Sequence, residues 1–330
     1  MTEDDGAAFW RREPKVALHL HLEGAAPPAL SRALAARKGV EAAGLFDAGG
    51  GYAWAGFGGF LAAYDRVAAL YRTAQDDAAL AEAVLRACAA EGVIYAELFL
   101  SPDHAGPERW DEHLAAVSAG AEAAEDATGI VARFIPLCVR HLGPEAARRA
   151  ATLAARAAHP RVVGFGMAGD ERCFAAADFA PAFAIAREAG LGLTAHAGEF
   201  GGPDSVRAAL DALGVARVGH GVRAVEDAAL LDRLAAQGVM LEVCPGANIA
   251  LGLYPDRAAH PLGALRAAGV RVSLSTDDPP FFHTDMTREY AAAAAACGWD
   301  RATMRAITAD ALAAAFCDDA LKARLSARLA

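Results

Sequence analysis

Eight short runs of β-branched and apolar residues recur along the chain, most of them separated by alanine-rich stretches of helix length, and this alternation restricts the fold more than any other feature. The runs predict strands over 16–21, 93–100, 131–139, 162–167, 192–196, 217–220, 239–243 and 270–275. Strands that alternate with helices pair in parallel through right-handed crossovers. Eight such units close a (β/α)8 TIM barrel. One interval breaks the rhythm, because the first and second runs are too far apart for a single crossover helix. The pattern therefore predicts a helical insertion over 25–91 within one barrel domain spanning 1–330. Inside it, 31–38 and 78–90 read as helical, while Gly49-Gly50-Gly51 and Gly58-Gly59 read as turns. Phe57, Phe60 and Tyr64 have a helix-compatible spacing that suits either ordinary packing or a lid over a site.

Composition narrows the partners. A chain of 330 residues that is 55% hydrophobic and 22% charged can build a large packed core. Its formal net charge of −10 disfavours nucleic acid and anionic membrane surfaces, which leaves small molecules as the expected partners. No apolar run is long enough to span a bilayer, and the acidic start Met1-Thr2-Glu3-Asp4-Asp5 is unlike a signal peptide, so a cytoplasmic location is expected. The six cysteines are dispersed without a C-x-x-C pair, which points to buried thiols rather than disulfides or a cysteine zinc site.

The polar residues of the predicted strands gather at one end. His19-Leu20-His21 sets two imidazoles at i and i+2, and in a strand both project to one face while the leucines project to the other. His19 and His21 end the first strand, His196 ends the fifth, His220 the sixth, and Asp277-Asp278 the eighth. In a barrel these ends share the rim where active sites sit. His19, His21, His196 and Asp277 offer three imidazoles and a carboxylate, a donor set that suits zinc, and one Zn2+ per chain is expected. Such an ion activates water at neutral pH. Glu199, three residues after His196, is a candidate proton donor, and His220, flanked by Gly219 and Gly221, is a candidate base or electrostatic partner. A single histidine is usually a packed core residue; four on one rim with an aspartate pair are not explained by packing.

Six segments in order carry a resemblance. They are Pro14-Lys15-Val16-Ala17-Leu18-His19-Leu20-His21-Leu22-Glu23-Gly24, Met167-Ala168-Gly169-Asp170-Glu171, His196-Ala197-Gly198-Glu199, Gly219-His220-Gly221, Leu241-Glu242-Val243-Cys244-Pro245 and Ser273-Leu274-Ser275-Thr276-Asp277-Asp278-Pro279. Together they resemble the adenosine deaminase family. The resemblance implies hydrolytic deamination of a 6-aminopurine, with adenosine or 2′-deoxyadenosine, giving the inosine product and ammonia in purine salvage or catabolism, as the leading reading. It implies that His19, His21, His196 and Asp277 hold the metal, that Glu199 protonates ring N1 as hydroxide adds to C6, and that His220 and Asp277 handle the water proton. It also implies substrate contacts from His21, from Asp278 to N7, from the Gly169 backbone to N3, and from Glu23 to the sugar 5′ hydroxyl, with Arg140-His141 one layer out.

Three positions depart from the adenosine pattern. Glu23 stands where enzymes of adenosine typically carry Asp, as it does in adenine deaminase relatives; Phe99 replaces Arg and Gly166 replaces Asp. Segment 167–171 instead resembles the nucleoside enzymes. Adenine, or another N9- or N6-substituted aminopurine, is the alternative substrate. A binuclear amidohydrolase would carry a bridging lysine ending strand four, yet the only lysines are Lys15, Lys38 and Lys322. His21-Leu22-Glu23 fits the H-x-E element of cytidine-type zinc deaminases, but their P-C-x-x-C element is missing. A catalytically inactive barrel acting as a binding protein would be expected to have lost a ligand or proton-transfer residue, and all are present.

Overall fold

Parallel strands covered on both faces carry unbroken apolar runs rather than alternation, and the eight runs of this chain form such strands in the computed structural model. The structure describes residues 3–329, with side chains from residue 8 onward, so Met1 and Thr2 of the acidic start lie outside the described residues. The strands are β1 (Lys15–His21), β2 (Val93–Leu100), β3 (Val131–Val139), β4 (Gly164–Ala168), β5 (Gly192–Ala197), β6 (Arg217–His220), β7 (Met240–Val243) and β8 (Arg271–Leu274). Each pairs in parallel with the next in sequence order. β4 begins two residues later than the apolar run predicts, because Val162 makes only an isolated bridge to Phe134.

The sheet closes just past β8. Leu20 bridges Asp277, the His21 N–H donates to the Asp277 carbonyl at 3.2 Å, and the Asp277 N–H donates to the His19 carbonyl at 3.2 Å. Ser275 Oγ accepts the N–H groups of Leu18 and His19, each at 3.2 Å. The fold is a (β/α)8 barrel.

Between β1 and β2 lie three helices that follow the N-terminal α1 (Glu3–Arg12): α2 (Pro28–Lys38), α3 (Gly56–Ala68) and α4 (Ala74–Ala90). α2 opens on Pro28, where a missing N–H costs nothing, and stops at Gly39 in the left-handed region. α4 starts with a capping box in which Thr73 and Asp76 satisfy each other's backbone N–H. The Gly49-Gly50-Gly51 turn is present, closing a bridge between Phe46 and Tyr52. Gly58-Gly59 is not a turn: both lie inside α3. Glycine disfavours a helix by about 1 kcal/mol relative to alanine, and burial of Phe60, Tyr64 and Val67 on one face overrides that cost.

α3 lies across the rim. Phe60 packs against Phe281 and Phe282 after β8, with ring centres 5.4 and 5.0 Å away, and Phe57 packs against Phe200 after β5 at 4.4 Å. At the opposite end the Phe316 ring plugs the barrel floor, where Gly164 and Gly192 make room; a Cβ at Gly192 would lie 2.4 Å from the ring. The cysteines are all free, three buried and three partly buried. No helix among the described residues is long and apolar enough to cross a membrane.

Candidate active site and metal centre

The strand ends deliver the predicted residues to one buried point. His19 and His21 arrive on β1, His196 on β5, and Asp277 follows β8. His19 Nε2 lies 3.1 Å from His196 Nε2, and His21 Nε2 lies 3.3 Å from it. Asp277 Oδ1 is 3.2 Å from the Nε2 atoms of both His19 and His21, yet this buried oxygen makes no well-formed hydrogen bond. Four donor atoms thus face a common centre rather than each other in pairs.

The outer nitrogens fix how these rings point. His19 Nδ1 is paired with Glu242 Oε2 at 2.9 Å, and His196 Nδ1 donates to the Met167 carbonyl at 2.9 Å. A ring held at Nδ1 by an acceptor offers its Nε2 lone pair inward. Burial, joined by the neighbouring imidazoles, drives His196 well below its ordinary range. Burial would also lower His19, but the Asp277 and Glu242 carboxylates outweigh it and push it up to about 9. The pocket therefore asks for positive charge where three nitrogens and one oxygen converge, a donor set that a divalent metal such as zinc would fit. His220, Cys244 and Asp277 form a second cluster of potential donors that shares Asp277 with the first.

Around this centre stand the groups suited to proton transfer. Glu199 and His220 approach each other, with His220 Nε2 3.7 Å from Glu199 Oε1 and 3.8 Å from Asp277 Oδ2. Burial and the charge on Asp277 push Glu199 well above the usual carboxylate range, which suits a proton donor. Burial takes His220 down to about 3, leaving a neutral imidazole. Asp278 is buried against its charged neighbour Asp277 and is likewise raised. It fits only because residue 24 is glycine: a Cβ there would fall 1.5 Å from Asp278 Oδ1. His220 and Asp277 also sit on left-handed backbone, with φ of 59° and 63°. Non-glycine residues adopt that region uncommonly, Asp and His more readily than most.

A cavity opens over the centre, lined by His21, Glu199, His220, Asp277, Asp278 and Gly169, and roofed by Phe57, Phe60, Leu61 and Tyr64 of α3. The α3 aromatics pack against one another and line the cavity. Glu23 is buried behind the cavity wall, where its Oε2 accepts the Tyr64 hydroxyl at 3.0 Å. Phe99 stacks edge-on to His19 with ring centres 4.8 Å apart. His141 reaches the cavity itself, closer than one layer out, while Arg140 holds the carbonyls of Cys173 and Phe174.

Several working residues lay outside the sequence reading. Glu242 is one, hidden in an apolar strand. Glu171 is another: its carboxylate accepts the N–H groups of Gly198, Glu199, Phe200 and Gly201 at 2.6–3.1 Å and so shapes the loop that presents Glu199. Asn248 is a third, with its side-chain amide 3.2 Å from His220 Nδ1. Glu171 and Glu242 sat within the segments that carry the resemblance, and a charged residue inside an apolar run was the signal available for Glu242.

Comparison with known proteins agrees with this geometry. The adenosine deaminase family model matches residues 14–330. A Chelativorans sp. (strain BNC1) protein named adenine deaminase is 52% identical over 320 residues, covering 96% of this chain and 97% of its own. One from Agrobacterium fabrum with the same name is 51% identical over 317 residues, covering 96% and 97%. Among solved structures, an adenine deaminase from Arthrobacter aurescens superposes with a TM-score of 0.87 at 29% identity, covering 96% of this chain and 98% of that one. A Burkholderia ambifaria amidohydrolase with bound Zn superposes with a TM-score of 0.86 at 28% identity, covering 98% and 91%. A match that runs nearly end to end, on a barrel whose rim gathers the family's residue types at one buried point, makes this chain a member of the adenosine deaminase family.

Proposed function

We propose that this chain is a zinc-dependent adenine deaminase, converting the free base and water to hypoxanthine and ammonia. Family membership makes it a hydrolytic deaminase of C–N bonds in aminopurines; the choice of substrate and metal goes further. The observation that carries the substrate is the Tyr64–Glu23 pair. A purine with C6 at the metal and N7 toward Asp278 turns N9, on the same five-membered ring, toward the flank beside Gly24 and Asp278. On that flank the Glu23 carboxylate, bonded at Oε2 to Tyr64, lies behind the cavity wall that the Tyr64 ring forms rather than at the cavity surface where a sugar hydroxyl would meet it. The names of relatives about half identical to this chain support the same substrate. Adenosine, the leading reading of the sequence, has less support than its alternative.

Zinc, one per chain, would be held by His19, His21, His196 and Asp277, and the zinc-bearing neighbour at 28% identity supports the metal's identity. When bound, it supplies the Lewis acidity that makes water nucleophilic at neutral pH. The chain's own residues do the rest. Glu199 delivers a proton to N1, so that the ring can accept the electron pair displaced as oxygen adds to C6. His220 and Asp277 flank the attacking water and manage its proton. Asp278 receives N7 and the Gly169 backbone meets N3, where its φ of 101° turns the chain toward the cavity. As the C6–N bond breaks, the amino group leaves with the transferred proton as ammonia.

The test is a side-by-side absorbance assay on adenine, adenosine and 2′-deoxyadenosine with zinc-loaded protein. The expected kcat/KM for adenine exceeds that for either nucleoside by about 100-fold or more, well within the discrimination of about 10,000-fold that a hydrogen-bonding site can reach. A preference for adenosine would overturn the substrate and leave the chemistry standing. Activity on neither would overturn both.

A further inference from the structure

Behind His220 runs a buried chain of hydrogen bonds whose direction can be read from one end. The Leu262 backbone N–H, which can only donate, points at His260 Nδ1 from 3.2 Å. His260 Nδ1 must therefore accept, and a neutral ring that accepts at Nδ1 carries its hydrogen on Nε2. His260 is neutral, since burial takes it down to about 3. Its Nε2 lies 3.1 Å from Asn248 Oδ1, which accepts that hydrogen and so fixes the amide's orientation. The other end of the amide, Nδ2, is a donor and lies 3.2 Å from His220 Nδ1. His220 accepts at Nδ1 and carries its hydrogen on Nε2, the atom that faces Glu199 and Asp277. Asn248 is fully buried and His220 and His260 nearly so, which leaves little room for water to reverse any link.

We propose that Leu262, His260 and Asn248 form a relay that sets the tautomer of His220, presenting Nε2–H to the reacting oxygen, so that His220 serves as a hydrogen-bond donor and Asp277 Oδ2 is left to take the water proton. His260 and Asn248 are positioning residues that touch neither substrate nor metal. Of the two roles the sequence allowed for His220, base or electrostatic partner, the relay selects the second. The division of labour follows from proton count. An imidazole already protonated at Nε2 and filled at Nδ1 has no free lone pair for a water proton, whereas Asp277 Oδ2, 3.8 Å from that same Nε2, has one. The inference rests on the deaminase reading for its catalytic meaning, but not for the tautomer itself.

The experiment is nitrogen NMR on zinc-loaded enzyme labelled with 15N in the histidine rings, with His220 assigned by its loss in His220→Gln. The expected wild-type signal has Nδ1 unprotonated and Nε2 protonated, and an Nδ1–H tautomer would overturn the proposal. Asn248→Asp replaces the donor with an acceptor and should move the His220 hydrogen to Nδ1, lowering kcat by about 10- to 100-fold with KM changed less than about threefold. If that variant fails to fold, the His260 pair decides. His260→Gln can still accept from Leu262 and donate to Asn248, and should keep the tautomer and most of kcat; His260→Leu should lose both. Equal behaviour of the two His260 variants would overturn the relay. Should no aminopurine be turned over, the deaminase reading fails while the NMR arm still judges the tautomer.

Discussion

The two ends of the barrel both bury charge, and they treat it in opposite ways. At the floor the buried charges face opposite charges or backbone carbonyls. Arg217 lies between Glu97 and Glu242 at 2.6 and 2.7 Å, and Glu97 also accepts the Tyr95 hydroxyl and the Phe316 N–H at 2.8 and 2.7 Å. Lys15 Nζ donates to the carbonyls of Trp10, Glu13 and Glu91. At the rim the arrangement is left incomplete. Asp277 Oδ1 and Asp278 Oδ1 are buried without well-formed hydrogen bonds, adjacent carboxylates repel, and two side chains ride on left-handed backbone. Buried polar groups are ordinarily satisfied, and these two adjacent carboxylates, which line the cavity, stand where a metal and a substrate would complete the structure. Rim changes should accordingly cost turnover and spare stability, and floor changes should do the reverse.

The strongest test of that contrast is Glu199→Gln. Removing the N1 proton donor should lower kcat by about 100- to 10,000-fold, with zinc content and melting temperature unchanged or slightly raised. A variant that melts well below wild type would break the contrast at the rim. At the floor, Gly192→Ala puts a Cβ 2.4 Å from the Phe316 ring. Such overpacking costs about 1–3 kcal/mol, measurable by urea unfolding, while kcat of the folded enzyme stays at the wild-type value.

Tyr64→Phe sharpens the picture of the rim. Losing the hydroxyl frees Glu23 and should raise the ratio of adenosine to adenine kcat/KM by about tenfold, roughly what one hydrogen bond of about 1.4 kcal/mol is worth. An unchanged ratio would remove Tyr64 from substrate selection. The smallest effect belongs to Glu13, beneath the floor. Burial raises this carboxyl, but hydrogen bonds from Arg301 and Arg305 outweigh burial and hold it below its ordinary value of 4.5. A carboxylate depressed in the folded state stabilises above its unfolded pKa and loses that contribution as pH falls through the folded one. Glu13→Gln should therefore unfold more easily than wild type at neutral pH, by under about 1 kcal/mol, and the gap should close below pH 4.5.

The sequence made the barrel and the candidate metal cluster legible because both follow from simple periodicities. Apolar runs located the strands, and the bounds of β2, β3 and β6 match the prediction to the residue. Histidines at strand ends needed only the rule that barrel strands share a rim. What stayed hidden depended on tertiary partners. Gly58-Gly59 read as a turn within a helix that packing against Phe281 and Phe282 enforces. Glu242 and Arg217 find each other only because their strands are neighbours in the barrel. Asn248 and His260, 12 residues apart, acquire meaning only from the direction of a hydrogen bond starting at Leu262.

The seam of the barrel carries one more consequence. His19 and His21 lie on the first strand, and Asp277 follows the last, joined to them by backbone hydrogen bonds. During synthesis on a ribosome the two histidines emerge early, yet their carboxylate partner appears only after nearly the whole chain has been made. A truncated product ending before Asp277 has neither the seam nor the fourth ligand. All four donors can therefore meet only on a chain that extends past its final strand.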